Sequence, residues 1–268
     1  MRFNVKDLYP WRVGVTSFVM PDDIVSNVRF VADKVDSVQL LFFESSCNAL
    51  LHNPVAIPVL QQVADESGLA YTVHLPTDIR LGASDKLLRR QGLDEIERLI
   101  NELAPINPVC FDLHLQQEKN IEEDEWQDNL DNSLTCLAKK LGDATRRITI
   151  ENIDYPIETI LPLLQQHDFS QCLDMGHILL YGHDEQIAVD TVLPNALHIH
   201  YHGVHNGKDH QALREEQLPV SRAIGQLLSA RHFSGVFTLE LYSMDTVEMS
   251  LDILKKAWEG FERRGGQQ

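Results

Sequence analysis

Cysteine is scarce in this chain. Its four cysteines, Cys47, Cys110, Cys136 and Cys172, are scattered over 268 residues with no CxxC pair. That excludes a thiolate zinc finger, offers no disulfide framework and fits a reducing, cytoplasmic setting. Long apolar runs are missing too. The longest, Val38 to Phe43, is interrupted by Gln39 and falls far short of the roughly 18 residues of a membrane span. The opening MRFNVKDLYPWRVG lacks the apolar stretch of a secretory signal. Positive charge is in short supply: 23 Lys plus Arg against 40 Asp plus Glu leaves −17. A nucleic-acid partner needs clustered basic groups, so this balance argues against one, and nothing indicates a membrane partner. No GxGxxG follows the first strand-like run, which removes the usual dinucleotide fingerprint. No stretch rich in Pro, Gly or Ser divides the chain. It reads as one domain over 1–268, with RRGGQQ (263–268) as a frayed tail.

What is present is a regular alternation. Apolar residues make up 43% of the chain, enough for a packed core. Strand-like runs recur at Val13–Met20, Ser37–Phe43, Ala70–Leu75, Val109–Leu115, Ile148–Ile153, Gln171–Asp174, Ala196–Val204 and Val236–Tyr242. Helical stretches lie between them. The fourth carries the stripe Trp126, Leu130, Leu134, Leu137 and Leu141, with an acidic start (Glu122 to Glu125), Lys139 and Lys140 at its end, and Gly142 as a stop. The eighth carries Val247, Leu251, Leu254, Trp258 and Phe261, with Asp245 and Glu248 as its expected start cap. The first uses Ile24, Val28, Val31 and Val35; the second (about 55–67) and sixth (about 184–189) are weaker. Eight such units in this length predict an α/β fold, a single (β/α)8 TIM barrel, with an open doubly wound sheet as competitor.

The polar residues at the strand ends carry the functional signal. Alternate strand residues point into a barrel, and strand C-termini form its active-site mouth. Thr72 with His74, Asp112 with His114, Thr149 with Glu151, and Cys172 with Asp174 share faces in this way. So do His198, His200 and His202, and Thr238 with Glu240; His177 follows Asp174 by three. Taken singly, each has a plain structural explanation: a hydrogen-bonded histidine, half a salt bridge, or a helix cap in the case of Asp174. Taken together, six strands aim ionisable groups at one place, and burying them needs compensating positive charge. Divalent cations supply it; imidazole plus carboxylate suits zinc first, with manganese or iron as alternatives, one to three ions in all. His52, His167 and His232 fall outside the strand ends and read as surface or packing residues.

With these residues in place the chain resembles, over its whole length, the xylose isomerase-like barrel superfamily, which includes endonuclease IV and many sugar isomerases and epimerases. Glu151, Asp174, a histidine of the seventh strand and Glu240 match its metal tetrad; His200 is the first choice there and His198 the second. The endonuclease IV-like pattern further implies that His74, His114 and Glu151 hold one metal and Glu151, Asp174, His200 and Glu240 a second, with His177, Asp209 and His210 at a third. In that pattern one residue separates the last Asp and His, whereas here they are adjacent. A narrower likeness rests on VTSFVMPDDIVSNVRFVADKVDSVQLLFFES, YTVHLPTDI, and HYHGV followed by GKDHQAL. These segments resemble the cobamide-remodelling phosphodiesterases, which implies a cobamide as small-molecule substrate and hydrolysis within its nucleotide loop.

Two mechanisms can be built from these residues. In a hydrolase, metals clamp a phosphodiester, an activated water attacks phosphorus in line, Glu151 bridges two ions, and Lys208 contacts the phosphate. Asp112 then orients His114 from below. In a single-metal isomerase or epimerase of sugars, Glu151 and Glu240 exchange a proton with substrate carbon. A non-catalytic, metal-dependent binding barrel is the third reading. The loops at 45–53 and 77–84 are expected to shape the pocket.

Overall fold

A computed structural model of the chain describes residues 3–45 and 56–261. Cys47, His52, the loop at 46–55 and the tail at 263–268 lie outside the described residues. Eight parallel strands close into a barrel: β1 (Arg12–Thr16), β2 (Ser37–Leu41), β3 (Ala70–His74), β4 (Phe111–Leu113), β5 (Ile148–Glu151), β6 (Ser170–Asp174), β7 (Ala196–Tyr201) and β10 (Val236–Leu239). The β10–β1 pairing completes the ring, with Val236 opposite Arg12 and Thr238 opposite Gly14. The expected strands appear in their expected places, most of them shorter than the apolar run because the run continues into the loop at the mouth, while β6 begins one residue earlier, at Ser170.

Side-chain alternation sorts the residues as the sequence pattern requires. Val13, Val15, Val38, Leu40, Tyr71, Val73, Phe111, Leu113, Ile148, Ile150, Ile199 and Phe237 are buried in the apolar core. Helices α1 (Ile24–Val31), α2 (Ala56–Ser67), α3 (Lys86–Leu103), α4 (Glu123–Leu141), α5 (Leu161–Gln166), α6 (Met175–Tyr181), α7 (Glu185–Val192), α8 (Leu218–Ala230) and α9 (Met244–Ala257) follow the strands in chain order. The opposite parity (Gln39, Thr72, Asp112, Thr149, Glu151, Cys172, Asp174, His198, His200, Thr238 and Glu240) is buried as well, and polar throughout. A barrel interior this rich in ionisable groups folds only if its members satisfy one another or a ligand.

The caps follow local chemistry. α4 has its acidic first turn, basic last turn and Gly142 at φ 56°, a left-handed geometry that glycine tolerates. α9 departs from expectation: Ser243, not Asp245 with Glu248, is the N-cap, its hydroxyl accepting from the Thr246 N–H. Asp245 instead lies in the first turn, where it complements the helix dipole. Asp184 caps α7, so the sixth helical stretch starts where expected and runs three residues further, to Val192.

The run expected as one strand from Ala196 to Val204 is two. β7 ends at Tyr201, and β8 (Gly203–His205) turns back on β9 (Lys208–Gln211) as an antiparallel hairpin. Asn206 and Gly207, both at positive φ (54° and 70°), make its turn. An Asn-Gly pair is the standard signature of such a two-residue turn, and it stands in HNGKD unmistakably once the hairpin is sought. The hairpin carries His210 back to the barrel mouth.

Candidate metal centre

Glu151, Asp174 and Glu240 and most imidazoles singled out at strand ends meet at the C-terminal mouth. His74 ends β3, Glu151 ends β5 and Asp174 ends β6; His200 is near the end of β7, while His114 and Glu240 directly follow β4 and β10. Among the described residues their potential ligand atoms form overlapping groups in which all atoms lie within 4.8 Å of one another: His74, His114 and Glu151; Glu151, Asp174, His200 and Glu240; and Asp174, His177 and His202. Glu151 belongs to two groups and Asp174 to two.

Glu151 is at the centre. Its Oε2 lies 3.2 Å from both His114 Nε2 and His200 Nδ1, and its Oε1 lies 3.2 Å from His177 Nδ1. His200 Nδ1 is also 3.3 Å from Glu240 Oε2. Despite these distances, six fully buried atoms here form no aligned hydrogen bond: His114 Nε2, both Glu151 oxygens, Asp174 Oδ2, His200 Nδ1 and His202 Nε2. Buried polar atoms are ordinarily paired. Lone pairs converging without hydrogen-bond alignment on a shared space are the arrangement a cation requires, and nitrogen with carboxylate oxygen is a donor set for zinc, manganese or iron.

The electrostatics agree. Burial would raise Glu151, but the neighbouring charges of His114 and His200 hold its carboxyl well below the usual range. Burial would lower His74, yet the Glu151 and Glu240 carboxylates push it up to about 9. Burial likewise opposes charge on His177, and Asp174 and Glu151 raise it to about 10. In the metal-free chain protons therefore do the neutralising that cations can do. Both raised imidazoles favour the protonated form, so a cation must displace their protons. Metal uptake at neutral pH is expected to release protons and to strengthen as pH rises toward about 9. The metal-free fold changes in the opposite sense: stabilisation from these imidazoliums is complete below the unfolded histidine value and is lost as pH rises through the folded values. Calorimetric titration of metal in buffers of different ionisation enthalpy measures the released protons; zero release would contradict this picture.

The two candidate histidines of β7 have different tasks. His198 is saturated, with Nδ1 2.8 Å from Asp112 Oδ2 and Nε2 2.6 Å from Thr238 Oγ1. His200 keeps Nδ1 toward the carboxylates, and its Nε2 is 2.8 Å from Gln39 Nε2. His200 is the histidine of the tetrad in space. When Nδ1 serves as a ligand, the ring proton sits on Nε2, so Gln39 must present its oxygen. Gln39 Oε1 is buried without a partner, and a half-turn of the amide places it on that N–H. Gln39→Leu is expected to weaken metal binding by about 10- to 100-fold, read by chelator competition; an unchanged affinity would remove Gln39 from the support of His200.

Three sequence expectations are corrected. Asp112 does not hold His114: its oxygens accept from Thr149 Oγ1 (2.6 Å) and pair with His198, a layer below the mouth. Lys208 is exposed on β9 and takes no part in lining the cavity. The third group is Asp174, His177 and His202 rather than His177, Asp209 and His210. Asp209 stays beside His210, its Oδ1 3.3 Å from His210 Nδ1, but is only half-buried and outside the converging groups, while His210, at φ 49°, turns its ring to the mouth. There His210 stacks on His202 at 4.3 Å, donates its backbone N–H to His202 Nδ1, and places Nε2 3.6 Å from Glu240.

His202 and Gln39 escaped the sequence reading as site residues, though both were legible by parity: His202 continues the alternation of His198 and His200, and Gln39 is the polar break in an apolar run. Gly176 is the companion of His202, since a Cβ there would stand 2.1 Å from the ring. Asp174 combines roles, capping α6 through the His177 N–H (2.7 Å) while facing the cluster. His167 pairs with Asp131 at 2.8 Å, away from the mouth.

The cavity above these groups is bounded by His74, His114, Glu151, His177, His210 and Glu240 on its polar side and by Leu41, Phe42, Phe43 and Tyr242 on its apolar side. Thr77, from the loop at 77–84, completes the wall. No lysine or arginine lines it among the described residues.

Comparison with known proteins agrees with this architecture. Residues 30–259 match the family model described as xylose isomerase-like TIM barrel. Among solved structures, a D-tagatose 3-epimerase-like protein superposes with a TM-score of 0.75 at 19% identity, over 92% of this chain and 97% of that one. The 3-keto-D-glucoside 4-epimerase of E. coli gives 0.72 at 15% identity, over 92% and 98%. Endonuclease IV from Thermus thermophilus gives 0.67 at 16% identity, over 92% and 99%. At these identities the likeness is one of fold. No curated protein sequence matches significantly.

Proposed function

The chain belongs to the xylose isomerase-like TIM barrel family, and we propose that within it this protein is a metal-dependent phosphodiester hydrolase cleaving the nucleotide loop of cobamides. The observation that carries the hydrolase reading is the double membership of Glu151: one carboxylate, both oxygens unpaired, shared between an imidazole pair (His74, His114) and the tetrad with Asp174, His200 and Glu240. A single-cation isomerase has no use for His74, His114, His177 and His202 around that tetrad. The cobamide substrate rests on the sequence segments named above.

These two groups would hold divalent cations, which would supply Lewis acidity toward the phosphodiester and a nucleophilic water near neutral pH. The chain's own residues do the rest. Asp174, Glu151 and Glu240 fix the negative charge that retains the cations, and Gln39 orients His200. With no lysine or arginine in the wall among the described residues, bound cations would supply the main attraction for a phosphate. His210 and Tyr242, stacked at 4.8 Å beside Glu240, cover one side of the mouth. The products are a lower-ligand riboside and the phosphorylated corrinoid.

An epimerase is the second reading, favoured by Glu151 and Glu240 lying on either side of His200 Nδ1, where two carboxylates can trade a proton with a carbon between them. One experiment separates the two. Metal-loaded protein is incubated with a cobamide and, separately, with ketoses, and products are resolved by chromatography alongside a metal count. Riboside release with two or more ions per chain is the expected result; epimerised ketose, intact cobamide and one ion per chain would reverse the choice.

A further inference from the structure

All the large exposed aromatic side chains among the described residues are at the barrel mouth. Phe18, Phe43 and Tyr242, between 36% and 44% exposed, form one row; Tyr181 lies across the opening against His177. The row is continuous: Phe18 meets Phe43 edge-to-face at 5.5 Å, Phe43 meets Tyr242 at 6.0 Å, and Tyr242 stacks on His210. It is built from the ends of β2, β1 and β10, which are neighbours in the barrel, and Phe43 and Tyr242 also line the cavity. Helices cover the outer face of the barrel, whereas the rings of this row stay partly open to solvent among the described residues. Single exposed apolar residues are ordinary on a protein surface, but a contiguous apolar ledge joined to a polar cavity marks a ligand site. With apolar ring faces along the ledge and no lysine or arginine lining the cavity among the described residues, the group that suits the ledge is apolar and flat.

We infer that Phe18, Phe43 and Tyr242 form a stacking subsite for a planar heteroaromatic base carried on the substrate, holding it beside the metal cavity while the attached phosphate enters. The inference rests on the hydrolase reading for what lies in the cavity, but the ledge is tested without turnover. Aromatic faces accept any planar base, because stacking does not depend on a hydrogen-bond code. A sugar without a base presents no such face.

Binding of benzimidazole riboside, adenosine and methyl riboside to the metal-loaded full chain is measured by saturation-transfer NMR and calorimetry. Both base-bearing ribosides are expected to bind, with saturation strongest on the ring protons, and methyl riboside is not. Phe18→Ala and Phe43→Ala are each expected to weaken the ribosides about tenfold; both positions are exposed, and circular dichroism checks the fold. Equal binding of methyl riboside, or riboside binding unaffected in the double variant, would overturn the subsite. Riboside binding that is lost in the variants while cobamides stay intact would leave the subsite standing and remove the hydrolase. Cobamide cleavage at unchanged KM in the double variant would do the reverse.

Discussion

Glu151→Gln is expected to lower turnover on the order of 10²- to 10⁴-fold, the range seen when a central polar group of an active site is removed, and to lower the number of bound ions, with the barrel still folded. The carboxylate is the member common to two ligand groups, so its neutralisation removes charge from both at once. The amide keeps the volume, and one of its ends can still meet His114 or His200. Structure is thereby separated from chemistry: circular dichroism should be unchanged while metal analysis and product release fall together. A variant that binds its full complement of ions and turns over at the original rate would clear Glu151 of the role given to it.

Asp112→Ala is expected to destabilise the barrel interior by about 1–3 kcal/mol for each buried donor, on Thr149 and His198, that it leaves without an acceptor, or roughly ten degrees of thermal midpoint in all. Asp112 is fully buried, accepts from Thr149 and faces His198, whose other nitrogen is taken by Thr238. Burial would raise its carboxyl, but His198 beside it holds it well below the usual range. A carboxyl so depressed stabilises the fold above its unfolded value and withdraws that support as pH falls through the range below it. Removal of the side chain leaves His198 buried without its partner, the costly half of a broken pair. Thermal melts of the metal-free protein at neutral pH measure the effect apart from metal; a change under about two degrees would show that the Asp112–His198 pair contributes little.

The barrel was legible because its two periodicities are strict. Period two at Thr149/Glu151 or Thr238/Glu240 assigns faces without any knowledge of neighbours, and the helix stripe from Trp126 to Leu141 needs only local spacing. The mouth was legible for the same reason, since parity puts Glu151, Asp174, His200 and Glu240 on one face of the ring. What parity does not carry is the partner of each group across the ring. Asp112 and His114 share a strand face, yet lie in successive layers, and the layer decides that Asp112 faces His198. His202 lies one residue beyond β7, so the alternation that puts it on the face of His198 and His200 does not by itself bring it to Asp174 and His177. Gln39 is a neutral amide, silent in any search for charge, and its importance follows only from what stands 2.8 Å away.

The want of lysine and arginine in the cavity wall among the described residues bears on how fast an anion arrives. A molecule with a net charge of −17, and no lysine or arginine lining its cavity among the described residues, repels a phosphate-bearing visitor over the distance at which the field is unscreened, about 10 Å at 0.1 M ionic strength. Dissolved salt shortens that reach, so the bimolecular encounter should quicken as salt is added, the reverse of the behaviour of proteins that draw polyanions with lysine and arginine. The only attraction on offer is short-ranged and comes from what the rim has already captured, which makes the supply of divalent ions the gate through which the substrate must pass.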